Sequence, residues 1–257
     1  MIAVCTLGCD RKAAEGFPSW PYLFQLQGDY SLYFNYEANA ETYCIWTYGV
    51  ASAQRILYEA SSTYPSVRYA CDVWGWRTSF GTKWRNLPKF DQDQARLASI
   101  VTARNMCIEF AMQTDASHLL FVDADIIPPL DIIPKLLEVN EDAVAGLVHG
   151  RGTHSNCPYV FGEKRHFQMQ DSQGRGFMVK EAEHANIGFT MISRKLFEAT
   201  RFRWGTSHYP DGRVNMTSDD PAFHLDSFLK WGKWMFIRMD VVGRHIGDLK
   251  NDEVSQF

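Results

Sequence analysis

The sequence predicts an α/β fold built on a mostly parallel central sheet, and three short runs carry that expectation. His118-Leu119-Leu120-Phe121-Val122 is apolar almost throughout and runs straight into Asp123-Ala124-Asp125. Ile2-Ala3-Val4-Cys5-Thr6-Leu7 opens the chain in the same manner, and Ala143 to Val148 repeats it later. Continuous apolar runs without alternation suit strands covered on both faces, which is the situation of a parallel sheet flanked by helices.

Taken in order, the first strand passes into Gly8-Cys9-Asp10-Arg11-Lys12, where Gly8 permits a tight turn and Arg11 or Lys12 can meet a phosphate. Residues 13 to 90 show no domain boundary. Aromatics alternate in part from Asp29 to Ile45, and a helix is expected over Ala51 to Ala60. Trp74, Trp76 and Trp84 read as peripheral packing or as a stacking platform. A helix is expected from Asp91 to about Thr114, with Leu97, Ile100, Val101, Cys107 and Ile108 at helical spacing and Arg104-Asn105 carried along. Pro128-Pro129 must turn the chain after the central strand. A short helix (Asp131 to Val139), the strand Ala143 to Val148, and a polar stretch of hairpin or mobile loops over residues 153 to 183 follow. Next come a strand (Asn186 to Ser193), a helix (Arg194 to Thr200) and a loop (Trp204 to Thr217). Pro221 to Trp231 reads as a helix with Asp219 and Asp220 in its first turn, as the helix dipole prefers. A last strand (Trp234 to Asp240) and a tight turn over Gly243 to Gly247 complete the reading.

With 257 residues, 46 % of them hydrophobic, the chain suffices for one large α/β domain. A net charge of −4 gives no overall drive toward nucleic acid or an anionic membrane. Six cysteines show no zinc spacing and read as small core hydrophobes in a reducing cytosol. The apolar start lacks a basic leader, and no stretch approaches the ~20 apolar residues of a membrane span, so a cytoplasmic protein is expected.

The chemistry concentrates at Asp123 and Asp125. They end a buried strand, at the edge where open α/β sheets bind ligands. Two ionised carboxylates so close repel each other and are costly to desolvate. Magnesium or manganese, both suited to hard oxygen ligands, would relieve both penalties. An Asp-x-Asp pair alone is more often a solvated turn; the apolar run in front of this one argues for a site.

Ala103-Arg104-Asn105, Asp123-Ala124-Asp125, Ile187-Gly188-Phe189-Thr190-Met191-Ile192, Ser218-Asp219-Asp220 and His245-Ile246-Gly247 occur in that order. In this the chain resembles glycosyltransferases of the GT-A fold, family 2-like, from bacteria and bacteriophages, over roughly residues 94 to 247. The resemblance implies a single GT-A-like catalytic domain over residues 1–257, with a nucleotide-sugar half (about 1–150) and an acceptor half (about 151–250). It implies that Asp123 and Asp125 hold Mn2+ or Mg2+ against a nucleoside-diphosphate sugar, first of all a UDP-sugar, with His245 completing the metal site. Thr6, Gly8, Arg11, Arg104, Asp123 and Gly188 would contact the donor. Asp220 or Asp219 would be the base of an inverting reaction, with Asp at a position where Glu is more usual; a retaining reaction, by front-face attack or a covalent intermediate, stays open. Residues 204 to 216 would form a flexible lid.

The acceptor stays open between a saccharide, a lipid-linked sugar, a protein and DNA. Phage enzymes of this kind glycosylate 5-hydroxymethylcytosine, and Lys83-Trp84-Arg85 with Lys89, Arg201-Phe202-Arg203-Trp204 and Lys230-Trp231-Gly232-Lys233-Trp234 mix basic and aromatic residues. Competing readings are a metal-dependent nucleotidyltransferase, for which the segment after the first strand is a poor match, and a non-catalytic sugar- or nucleic-acid-binding module.

Overall fold

The computed structural model describes residues 1–9, 20–37, 68–74, 89–148, 159–160, 165–166, 179–217 and 219–245. Strand β1 (Ile2–Cys9) pairs in parallel with β2 (Tyr30–Glu37), and β3 (Arg68–Trp74) continues the parallel ladder beyond β2. On the other side of β1 lies β4 (His118–Val122), again parallel; β5 (Ile126–Ile127) follows it as a two-residue strand. β6 (Ala143–Val148) is separated from β4 by β10 (Phe189–Ser193), which opposes both. β13 (Met235–His245) then runs parallel to β6. Six of the strands in the row β3-β2-β1-β4-β10-β6-β13 therefore point one way, β10 alone opposing them. The mostly parallel sheet expected from the apolar runs is what forms. An antiparallel flank of β9 (Val179–His184), β7 (Tyr159–Val160) and β8 (Arg165–His166) extends it past β13.

Helices α1 (Trp20–Leu23), α2 (Lys89–Met112), α3 (Ile132–Glu138), α4 (Arg194–Ala199) and α5 (Asp219–Trp231) cover the two faces. Alternate residues along each strand point to opposite sides. Ile2, Val4, Leu120, Val122, Val144 and Phe189 pack with Trp20, Leu23, Ile132 and Leu136 of α1 and α3. Ala3, Cys5, Leu119, Phe121, Ala145 and Ile192 pack with Val101, Ile108, Leu196 and Phe223 of α2, α4 and α5. In α2 the buried positions Val101, Arg104, Ile108 and Ala111 recur every three or four residues, the spacing of one helix face. Ser193 starts α4 in an extended conformation, its Oγ accepting from the Leu196 N–H at 3.4 Å.

Two expectations need correction. Residues 204–217 are no simple loop: β11 (Gly205–His208) and β12 (Val214–Thr217) form an antiparallel hairpin. Within residues 153–183, expected as a hairpin or mobile loops, β7 and β8 do pair antiparallel, and β9 joins β7 to β13. Gly243-Arg244-His245 is not a turn but the end of β13, with Arg244 opposite Ile127 and His245 opposite Ile126. The expected helix over 51–60 and the tryptophans at 76 and 84 lie outside the described residues.

Gly243 is needed for room. A Cβ built there would stand 2.9 Å from the Phe189 ring and 2.8 Å from Ile126, and Gly146 on β6 faces the same ring. Two glycines on neighbouring strands thus receive one fully buried phenylalanine. Gly146→Ala would push a methyl into that ring and to 2.7 Å from the Val241 carbonyl oxygen. Overpacking of this kind is expected to destabilise the fold by about 1–3 kcal/mol, read as a lower urea midpoint at unchanged m-value.

Candidate active site

The end of β4 is tied to the start of β10. The Asp123 N–H donates to the Gly188 carbonyl at 2.8 Å, and the Ile126 N–H closes the acidic corner onto the Asp123 carbonyl at 2.9 Å. Asn186 shapes the facing segment: its Oδ1 accepts from the Gly188 N–H at 2.8 Å, and its carbonyl accepts from Thr190 Oγ1 at 2.8 Å. A Cβ on Gly188 would fall on the Asp123 carboxylate itself. The absent side chain is therefore the space that the carboxylate occupies. Gly188→Ala is expected to drive Asp123 from this position and to lower affinity for Mn2+ with a nucleoside diphosphate at least ~10-fold, measured by calorimetric titration. Asp125 is the more enclosed of the pair, at 9 % exposure, with Asp123 half-buried.

Asp220 reaches the same segment from α5. It lies in the first turn of α5, where a carboxylate is favoured by the helix dipole. One oxygen, Oδ1, is ion-paired with Arg104 Nη1 from α2; the other, Oδ2, accepts from the Ile187 N–H at 3.3 Å. Arg104 is 5 % exposed and lies over the Phe202 ring, 5.5 Å from its centroid. That ring stacks on Phe223 of α5 at 4.3 Å and meets Phe121 of β4 edge-on at 5.5 Å. Asn105 fastens Phe202 in place, its Oδ1 accepting from the Phe202 N–H at 2.9 Å and its Nδ2 donating to the Phe202 carbonyl at 3.1 Å. Adjacent residues Ile187 and Gly188 thus hold Asp220 and Asp123 respectively. The resemblance already implied that His184-Ala185-Asn186 shapes the donor pocket; the Ile187 N–H as a partner of Asp220 was missed, because a main-chain donor leaves no mark in the sequence.

Thr6 is on β1 just beyond the point where its ladder with β4 ends at Cys5 and Phe121. It is buried, and its hydroxyl has no hydrogen-bond partner among the described residues. Gly8 lies two residues further along the same strand, opposite Tyr36. Arg11 is outside the described residues. Asp219 and His245 are placed by their main chains alone, at the first residue of α5 and opposite Ile126, next to Asp125.

Among the described residues no group of three or more His, Cys, Asp or Glu side chains converges as a ready-made metal centre. Two carboxylates at a strand edge nevertheless fit the donor chemistry of Mg2+ or Mn2+, which take one or two carboxylates and complete their shells with substrate phosphate and water. Asp123 and Asp125 are the residues that would hold such an ion.

The hairpin is docked firmly. Arg213 in its turn meets Glu183 of β9 with two bonds of 3.1 and 3.0 Å and lies over Tyr209, 4.7 Å from the ring centroid. Glu183 is 3 % exposed, and its carboxylate, with Asp211, raises the pKa of Arg213 above the usual arginine value. Basic residues of the clusters at 201–204 and 230–234 are also engaged within the protein, while Lys83-Trp84-Arg85 lies outside the described residues. Arg203 binds Asp226 through two bonds of 2.7 and 2.8 Å, Arg201 reaches Glu109 at 3.2 Å, Lys230 the Ala199 carbonyl at 2.9 Å and Lys233 Glu141 at 3.2 Å. Phe202 is core, and Trp234 stacks on Phe228 at 4.0 Å. No helix among the described residues is long and apolar enough to cross a membrane.

No protein-family model matches the chain, and no curated protein matches it by sequence. Solved structures do. The mannosyltransferase PcManGT from Pyrobaculum calidifontis, in complex with GDP-Man and Mn2+, superposes with a TM-score of 0.54 at 12 % identity, over 95 % of this chain and 56 % of its own. TarS of S. aureus superposes with a TM-score of 0.51 at 11 % identity, over 95 % of this chain and 36 % of its own. A197 from STIV aligns over 100 % of this chain and 98 % of its own at 14 % identity, with a looser TM-score of 0.48. The chain spans about a third of TarS and little more than half of the mannosyltransferase. Sheet order, the two helical layers and the superpositions on PcManGT and TarS agree that the chain has the GT-A fold of glycosyltransferases.

Proposed function

We propose that the protein is a glycosyltransferase that moves a sugar from a nucleoside-diphosphate donor to an acceptor hydroxyl. One observation carries this: the Ile187 N–H binds the Asp220 carboxylate while the Asp123 carboxylate lies against the next residue, Gly188, so the two acids meet one strand start. The reaction needs acidic groups in two roles, one beside the donor diphosphate and one beside the acceptor. Thr6, buried with a hydroxyl lacking a partner among the described residues, supports a donor pocket between the ends of β1 and β4. Residues 1–150 would supply most of that pocket and residues 151–250 the acceptor side, as halves of one catalytic domain.

Asp123 and Asp125 would hold Mn2+ or Mg2+, with His245 as a third ligand. When bound, the ion supplies positive charge against the departing diphosphate. Asp220 takes the proton of the acceptor hydroxyl as that oxygen bonds to the anomeric carbon and the bond from that carbon to the diphosphate oxygen breaks; attack from the opposite face inverts the centre. Asp219 is the alternative base. A UDP-sugar is the first donor to test, and GDP-mannose the second, because the mannosyltransferase of the same fold binds it. A saccharide hydroxyl is favoured as acceptor over a DNA base, since Arg201, Arg203, Lys230 and Lys233 are occupied by partners within the fold. The test is a panel of sugar nucleotides with Mn2+, read as free nucleoside diphosphate. Release from one of them, stopped by EDTA, is expected; release from none would remove the proposal.

A further inference from the structure

We infer that Arg104 is a positioning residue for Asp220 and not a ligand of the donor. The inference rests on the transferase reading above and adds a residue to its machinery. Arg104 sits within a 24-residue helix, at one of the positions that helix buries, so its backbone is held by the body of the fold. The guanidinium has the Phe202 ring beneath it; that ring stacks on Phe223, and the Phe202 main chain is held by the two Asn105 bonds. A planar guanidinium held against a ring presents its N–H edge in one direction. Here that edge meets Asp220 Oδ1.

The carboxylate is then fixed at both oxygens, by Arg104 at Oδ1 and by the Ile187 N–H at Oδ2. A carboxylate has about four lone-pair directions, so two fixed contacts leave two for a proton. With 23 % of its side chain exposed, Asp220 can present one of these to an acceptor hydroxyl in a set orientation. A diphosphate that recruited Arg104 would have to break this enclosed pair and expose a nearly buried guanidinium. Holding a base within a fraction of an ångström is worth about 100-fold in rate, which is the scale of effect at stake.

The test compares wild type, Arg104→Gln, Arg104→Lys and Asp220→Asn in two measurements. The first is the Ile187 amide resonance of the 15N-labelled protein without donor. In Arg104→Gln it is expected to move in the same sense as in Asp220→Asn, and Arg104→Lys is expected to return it toward wild type. The second is steady-state release of nucleoside diphosphate in the presence of acceptor. Arg104→Gln is expected to lower kcat roughly 10–100-fold with donor KM held within about twofold, and Arg104→Lys to recover part of kcat. Unchanged dispersion of the other amides marks a variant as folded, and Arg104→Lys keeps the comparison open should the Gln variant unfold. An Ile187 amide unmoved in Arg104→Gln would overturn the inference, and so would a loss appearing in donor KM with kcat intact. Should wild type turn over no sugar nucleotide, the transferase reading falls separately, while the amide comparison still decides whether Arg104 pins Asp220.

Discussion

Asp220→Asn is expected to slow sugar transfer by roughly 10²–10⁴-fold while donor affinity stays within about twofold. The amide keeps the shape of the carboxylate but cannot accept the acceptor's proton. It also has one acceptor oxygen where two donors, the Arg104 guanidinium and the Ile187 N–H, now compete. One contact is lost, and the Asp220 counter-charge is removed from a guanidinium that is 5 % exposed. A stability loss of about 1–2 kcal/mol should accompany the kinetic one, reduced from the fully buried case because Asp220 is partly solvated. Transfer rates and donor titration, taken below the variant's melting transition, separate the two effects. If Asp219→Asn gives the larger kinetic loss, the base is the residue before.

Asp125→Ala is expected to cut Mn2+-dependent turnover by at least ~100-fold with little change in the fold. The turn that carries Asp125 is closed by main-chain atoms, the Ile126 N–H on the Asp123 carbonyl, and β5 beyond it is held by β13. Removing the side chain therefore leaves the corner standing and takes away one hard oxygen ligand. Release of nucleoside diphosphate across a Mn2+ titration, with the melting temperature alongside, checks both halves. Full activity in this variant would remove Asp125 from any metal role.

The parts of the fold that could be read in the sequence are those where local pattern and final burial coincide. β4 after His118 and all of β6 are apolar because both faces are covered, and α2 keeps its three-and-four spacing because one face lies on the sheet. The hairpin of β11 and β12 escaped because its strands, Gly-Thr-Ser-His and Val-Asn-Met-Thr, are mostly polar and its attachment to β9 runs through the Arg213–Glu183 ion pair. Gly243 looked like a turn glycine, yet it makes room for Phe189, a contact no neighbouring residue announces. The acidic corner at Asp123 and Asp125 was legible as a corner, since Pro128-Pro129 and two carboxylates follow a buried strand. The residues around it were named through the resemblance, but which of them meet was not legible. Gly188 meets Asp123 across a β4–β10 junction distant in sequence, and Arg104 meets Asp220 from 116 residues away. Spacing along the chain does not encode such pairs; only the closing of the sheet brings them together.

Mn2+ added with UDP or GDP to the 15N-labelled protein, followed amide by amide through paramagnetic line broadening, locates the cation without knowledge of the sugar or the acceptor. Broadening centred on Ile126, Ile187 and Gly188, requiring the nucleotide and sparing Trp231 to Lys233 at the far end of α5, roughly 20 Å along its axis, is the expected result. Broadening centred anywhere else, or none on adding nucleotide, would contradict a metal-bound donor at the Asp123–Asp125 edge.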